Sequence, residues 1–373
     1  MSNRFVAFLL AARWTSAIVA IVYHIRYLVF VDYHQVESRS LLSTAFYFLT
    51  GLGHESFAVF FVCDGIVAGL VLLRHRTRTA LDPGAASLHL GALYRILLPG
   101  LLLGACLDLT GSQFFNGSGL YTAYPEFSRL TLTTTSLLGN LFMLQPFIVP
   151  TFGSNGMLNF LSYLFWSFVL LLLFVQTARL ERRRARLAQA ALVLLVIAVM
   201  PYTFLFWAAI WLSGVAVVLL GEARRLRPPL PVATGLFGAA LLLSRVIGSN
   251  AGGLPAPFGE WIVHNKFLLV GLGFAAIARA LYPDRSRGHG GWLDAVLRRG
   301  ERGAGQTAAF IFFFHFPVIM LLVGVGSTLL GRPLMQQPTL ATYAEFALLV
   351  GACLGMTALA ARAVDALARD VIT

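Results

Sequence analysis

Lysine is almost missing from this chain. Of 28 basic side chains in 373 residues, Lys266 is the only lysine, and all charged residues together make up 12% of the sequence. A soluble domain carries about twice that charge, which excludes an ordinary water-exposed fold. Cysteine is scarce as well: Cys63, Cys106 and Cys353 stand far apart in apolar segments, without the spacing of a zinc site or a disulfide framework. No glycine-rich phosphate loop follows a strand, and the longest polar stretch, 283–306, is too short to build a core of its own.

What is there is hydrocarbon. Hydrophobic residues make up 58% of the chain, and the mean hydropathy is +0.78. Apolar runs of about 17 to 25 residues, the length that crosses a bilayer as helix, recur throughout. They predict spans near 5–31, 57–73, 88–109, 157–178, 188–201, 203–220, 231–248, 261–281, 307–330 and 339–361. The expected fold is all-α: a polytopic membrane protein of about ten transmembrane helices, with residues 1–373 as a single domain. Arg13 interrupts the first run and no small-residue cleavage site closes it, so that run is expected to stay in place. The run 135–150 contains Asn140, Gln145 and Pro146 and reads as a re-entrant or interfacial segment packed on protein. Its alternative is a plain eleventh span.

The net charge of +12 would suit a nucleic-acid binder, but the arginines sit in short clusters between apolar runs. The clusters are Arg74, Arg76 and Arg78; Arg179 to Arg186; Arg224 to Arg227; Arg285 to Arg302; and Arg369. With ten spans all of them fall on one side, so the positive-inside rule predicts both termini in the cytoplasm of a bacterial inner membrane. No nucleic-acid partner is expected; the surroundings are lipid.

Ionisable groups inside spans are costly and mark functional cavities. Arg13 and His24 are eleven residues apart, about 1100° of helix, so they share one face about 16 Å apart. Counting inward from the predicted span ends, Arg13, Arg95 and His315 form an inner cationic layer roughly 10 to 13 Å deep. His24 and Asp64 form an outer layer, with His54 and Glu55 just beyond, and Asp64 is the expected partner of His24. Such a chamber suits arginines that bind a polyanion and a histidine that takes a proton from a hydroxyl. Plainer roles stand beside these: a snorkelling Arg13, a His24 that only links helices, a protonated Asp64 packed between them. Lys266 and Arg245 read as snorkelling anchors, and Gly324 and Gly326 as points of close helix packing.

Several segments resemble the acyltransferase-3 superfamily of integral membrane acyltransferases. "RWTSAIVAIVYH" is similar to its Arg-x10-His signature, with Arg13 and His24 in the signature positions. "GHESFAVFFVCDG", "YRILLPG", "NLFMLQ", "FGSNGMLNFLSYLFW" and "FFFHFPVIML" resemble further family segments in order along the chain. The resemblance implies transfer of an acyl group from cytoplasmic acyl-coenzyme A, acetyl-coenzyme A foremost, to a hydroxyl of an extracytoplasmic glycan or glycolipid. It also implies His24 as base or acyl carrier and Arg13, supported by Arg95 and His315, at the coenzyme. His54, Glu55 and Asn155 are expected on the acceptor side, and no metal is expected. Three positions depart from the family pattern: Asp64 for serine, Leu164 for glutamate and Ala92 for a basic residue. Asp64 is expected to take over the glutamate's role. A transporter or flippase, or a catalytically inactive relative, would share the same helices and buried charges.

Overall fold

The computed structural model describes residues 2–74, 83–122, 130–221, 223–250, 255, 258–283 and 303–370. The basic residues at 76–78 and 285–302, and most of the polar stretch 283–306, lie outside them. Among the described residues the chain is helical, with two isolated β-bridges and no strands. The helices are α1 (Ser2–Val29), α2 (Leu41–Thr50), α3 (Gly53–Arg74), α4 (Pro83–Phe114), α5 (Thr134–Leu141), α6 (Leu158–Arg179), α7 (Arg183–Val199), α8 (Tyr202–Leu219), α9 (Leu230–Asn250), α10 (Phe258–Leu281), α11 (Ala304–Leu329) and α12 (Leu340–Asp370). The fold is an all-α, multi-pass membrane protein.

Nine helical stretches among the described residues are long and apolar enough to cross a membrane, with α2 and α3 counted together as Leu41–Leu73. The segment expected at 188–201 belongs to α7, whose 17 residues open on Arg183, Arg184 and Arg186, and which is not among the nine. The run 135–150 is no full crossing. It holds the eight-residue α5 followed by turns, and its polar residues are packed on protein as expected: Asn140 donates to the carbonyls of Ser136 at 2.7 Å and Pro150 at 2.9 Å and accepts from Phe152 N at 3.1 Å. Both short helices start at reciprocal caps, Ser40 with Ser43 for α2 and Thr133 with Ser136 for α5, each hydroxyl serving a backbone N–H at the other's position.

By its contacts the chain divides into two compact units interleaved in sequence. The first comprises Met1–Arg13, Phe57–Leu93 and Tyr163–Gln306; the second comprises Trp14–Ser56, Tyr94–Ser162 and Thr307–Thr373. In the first unit α3 and α8 cross with their backbones touching, because Gly65 faces the Trp211 carbonyl and Gly214 faces the Val62 carbonyl. That close approach seats the Trp211 indole beside Asp64, one residue before Gly65. Aromatic rings fill the space around the crossing, Phe61 on Trp207 at 4.9 Å and Phe168 on Trp211 at 6.5 Å between centroids.

In the second unit the end of α1 is tied to the segment between α11 and α12. Val31 N donates to the Gln336 carbonyl at 3.1 Å, and Gln336 N donates to the Val29 carbonyl at 2.7 Å. This fixes the register of α1 against α11. Gly324 is a close-packing position, since a Cβ there would meet the Phe115 carbonyl; Gly326 faces open space and is not. Lys266, in the first unit, is a further correction. It is buried, not snorkelling, with its ammonium 4.7 Å from the Phe267 ring centroid, in room left by Gly248.

Candidate functional site

The membrane-embedded polar groups form separate clusters, and each belongs to one unit. In the first unit the centre is Asp64 on α3. Its Oδ1 accepts from Arg13 Nη2 at 3.2 Å and its Oδ2 accepts from Trp211 Nε1 at 2.9 Å, with His89 Nε2 at 3.5 Å from the same oxygen. The Arg13 guanidinium also lies 5.2 Å from the Phe60 ring centroid, and the His89 ring packs at 4.4 Å on Phe168. Arg13, Asp64 and His89 are all buried. A carboxylate enclosed this way is held by paired charge and hydrogen bonds, without which its burial would be prohibitive.

The expected pairing of Asp64 with His24 is therefore not formed. Arg13 stands eleven residues after the start of α1 at Ser2, and Asp64 stands ten before the end of α3 at Arg74, about 16 and 15 Å from the ends that antiparallel helices bring to one side, so these two are level.

His24 has a different partner, and it too corrects the expected layering. In the second unit His24 Nδ1 lies 2.9 Å from Nε2 of His315, which had been expected in the inner layer. His24 is five residues from the end of α1, and His315 is fourteen from the end of α11. The helix ends are thus far from level, so counting from them misplaced His315.

The partners settle which nitrogen carries hydrogen. His315 Nδ1 sits 3.2 Å from the Ile311 carbonyl, which can only accept, so Nδ1 is protonated and the neutral ring has its lone pair on Nε2. His24 Nδ1 must then donate to that lone pair, and the Ala20 carbonyl, 3.0 Å away, makes the same demand. The lone pair of His24 is left on Nε2. His315 is fully buried, whereas His24 is partly buried. Tyr23 lies edge-on to His24, at 5.2 Å, and to His54, at 5.3 Å.

A second cluster in this unit gathers on Asp108 of α4. Its carboxylate accepts from Ser154 N at 2.7 Å and from Ser154 Oγ at 2.6 Å. Gly153, with φ +75°, makes the turn possible, and a Cβ there would press on Asp108. Tyr121 lies nearby outside the helices. Burial, aided by the Asp108 charge, pushes its phenol well above the usual value, so it stays protonated. Asn155, next to Ser154, donates through Nδ2 to the Phe313 carbonyl at 2.9 Å.

Of the residues expected from sequence, the structure joins Arg13 to Asp64 and His24 to His315. It places His54 beside Tyr23, and buries Glu55 near the start of α3 and Asn155 against α11. Arg95 is partly exposed on α4. Leu164 is a buried apolar residue. His89, Trp211, Asp108 and Ser154 were not anticipated. His89 and Asp108 had a legible signal, an ionisable residue within or beside an apolar run; Trp211 and Ser154 had none. No known protein family, curated protein or solved structure matches this chain.

Proposed function

We propose that the chain is a membrane O-acyltransferase with His24 as its general base. The observation that carries this reading is the hydrogen-bond chain from the Ile311 carbonyl through His315 to His24. A base oriented by a buried second group is the arrangement that activates a hydroxyl. The donor is an acyl-coenzyme A, acetyl-coenzyme A foremost, and the acceptor is a glycan or glycolipid hydroxyl, as the resemblance to the acyltransferase-3 superfamily implies. His24 Nε2 takes the hydroxyl proton as the oxygen bonds to the thioester carbonyl carbon. The carbon–sulfur bond then breaks, and the departing thiolate takes the proton from Nε2 to leave as the free thiol.

In this scheme Arg13 acts inside its ion cluster, holding α1, since Asp64 already balances its charge. Arg95 is the arginine assigned to the coenzyme phosphates, and His54 and Glu55 are assigned to the acceptor side. The membrane is proposed to be a bacterial inner membrane, with both termini cytoplasmic. That orientation requires α7 to cross, because only then do Arg179 to Arg186 and Arg224 to Arg227 share a side.

The test supplies labelled acetyl-coenzyme A to vesicles containing the protein and measures thiol release and label transfer. His24→Ala is expected to lower turnover by about 10² to 10⁴, the usual contribution of a positioned base. Undiminished turnover in that variant would remove the mechanism. Vesicles inert toward acyl donors that still move a glycan would replace it with transport.

A further inference from the structure

Helix α11 contains Pro317, two residues after His315. In an α-helix the carbonyl of residue 313 is satisfied by the N–H of residue 317, and proline has none. The Phe313 carbonyl is therefore orphaned in the helix's own ladder, within a buried apolar stretch where an unmet acceptor is costly. Asn155 Nδ2 donates to that oxygen at 2.9 Å. The amide of a distant segment stands in for the missing helix donor.

We infer that Asn155 is a positioning residue for the histidine pair: by capping the carbonyl that Pro317 leaves open, it fixes the turn of α11 that carries His315, and through it the orientation of His24. Three further contacts hold Asn155 in place. Asp108 grips Ser154 through both backbone and side chain, Gly153 makes the turn before it, and the Asn140 side chain accepts from Phe152 N. Nothing among the described residues donates to Asn155 Oδ1, so the bond to Phe313 is what orients the side chain. Without it the open carbonyl would seek another donor by rotating its turn. His315 Nε2 would then swing away from His24 Nδ1. The role assigned to Asn155 is thus structural chemistry beneath the site, in place of direct contact with the acceptor. Its effect on turnover rests on the acyltransferase reading; its effect on the two rings does not.

A double-mutant cycle tests it. The proteins are the unmodified chain, Asn155→Ala, Pro317→Ala and the double variant, each full length in vesicles and labelled with ¹⁵N-histidine. Two properties are read: acetyl transfer, and the ring-nitrogen shifts of His24 and His315, which separate protonated from lone-pair nitrogens. Asn155→Ala is expected to cut turnover by between about 5- and 150-fold, the range spanned by an unsatisfied buried carbonyl, and to disperse the His24 tautomer signal. In the Pro317→Ala background the helix supplies its own N–H. The same asparagine substitution should then cost less than about threefold and leave the nitrogen shifts in place.

An equal cost in both backgrounds, or unmoved ring shifts in Asn155→Ala, overturns the inference. If Asn155→Ala does not fold, Asn155→Leu keeps the size and removes the donor. If Pro317→Ala does not fold, Pro317→Ser restores the N–H equally. Shifts that behave as expected in a protein that transfers no acyl group would sink the acyltransferase reading and leave this inference standing.

Discussion

Neutralising Asp64 is the perturbation whose cost the structure defines most closely. Asp64→Asn keeps the side chain's shape and an acceptor for Trp211 Nε1, but it removes the charge that balances Arg13 at 3.2 Å. Both groups are buried, so bulk water does not screen the loss. Breaking a buried pair by removing one partner costs about 3 to 5 kcal/mol, most of it from the charge left behind. Replacing both partners with apolar side chains of similar volume, Arg13→Met with Asp64→Leu, removes the stranded charge. That double variant still leaves Trp211 Nε1 without its acceptor, a cost of about 1 to 3 kcal/mol. It should therefore be less destabilised than Asp64→Asn alone, a sign no additive scheme produces. Thermal or denaturant unfolding in detergent, followed by tryptophan fluorescence, measures both variants against the unmodified protein. A loss below about 1 kcal/mol in Asp64→Asn, or a double variant no more stable than Asp64→Asn, would show that the pair is not the closed ion cluster described.

Further outcomes follow from the same contacts. His315→Ala should reduce acetyl transfer by less than His24→Ala does, because it removes the orienting ring and leaves the base; equal losses would give both rings a direct part in the chemistry. Gly214→Ala should separate α3 from α8, because its Cβ would strike the Val62 carbonyl, and it should destabilise the protein by about 1 to 3 kcal/mol. Gly235→Ala, with open space around the new Cβ inside α9, is the control and should not lower the unfolding midpoint. If α7 crosses the membrane, single cysteines introduced at residues 182 and 225 should both be labelled only from the cytoplasmic side. Labelling of the two from opposite sides would show that α7 does not cross.

Much of the helix layout was legible in the amino-acid order because lipid imposes a simple rule: a long apolar run must satisfy its backbone within itself, and only a helix does so. Arg13, His24, Asp64 and His315 stood out for the same reason, as ionisable groups where hydrocarbon should be. Which of them meet was not legible. Pairing depends on where each helix starts and how its end is offset from its neighbour's. Counted from Ser2 of α1 and Arg74 of α3, Asp64 is level with Arg13 and not with His24.

The sequence by itself determined that this is a helical membrane protein with charge buried in its first and late spans, because hydropathy and the expense of buried ions are local properties of the chain. Only the tertiary structure decided that Asp64 closes on Arg13, His89 and Trp211, that His24 donates to His315, and that Asn155 caps the carbonyl opened by Pro317. Four of these contacts join residues 51, 147, 158 and 291 positions apart. Such distances are closed by glycine crossings, bridges and helix offsets that no local pattern encodes.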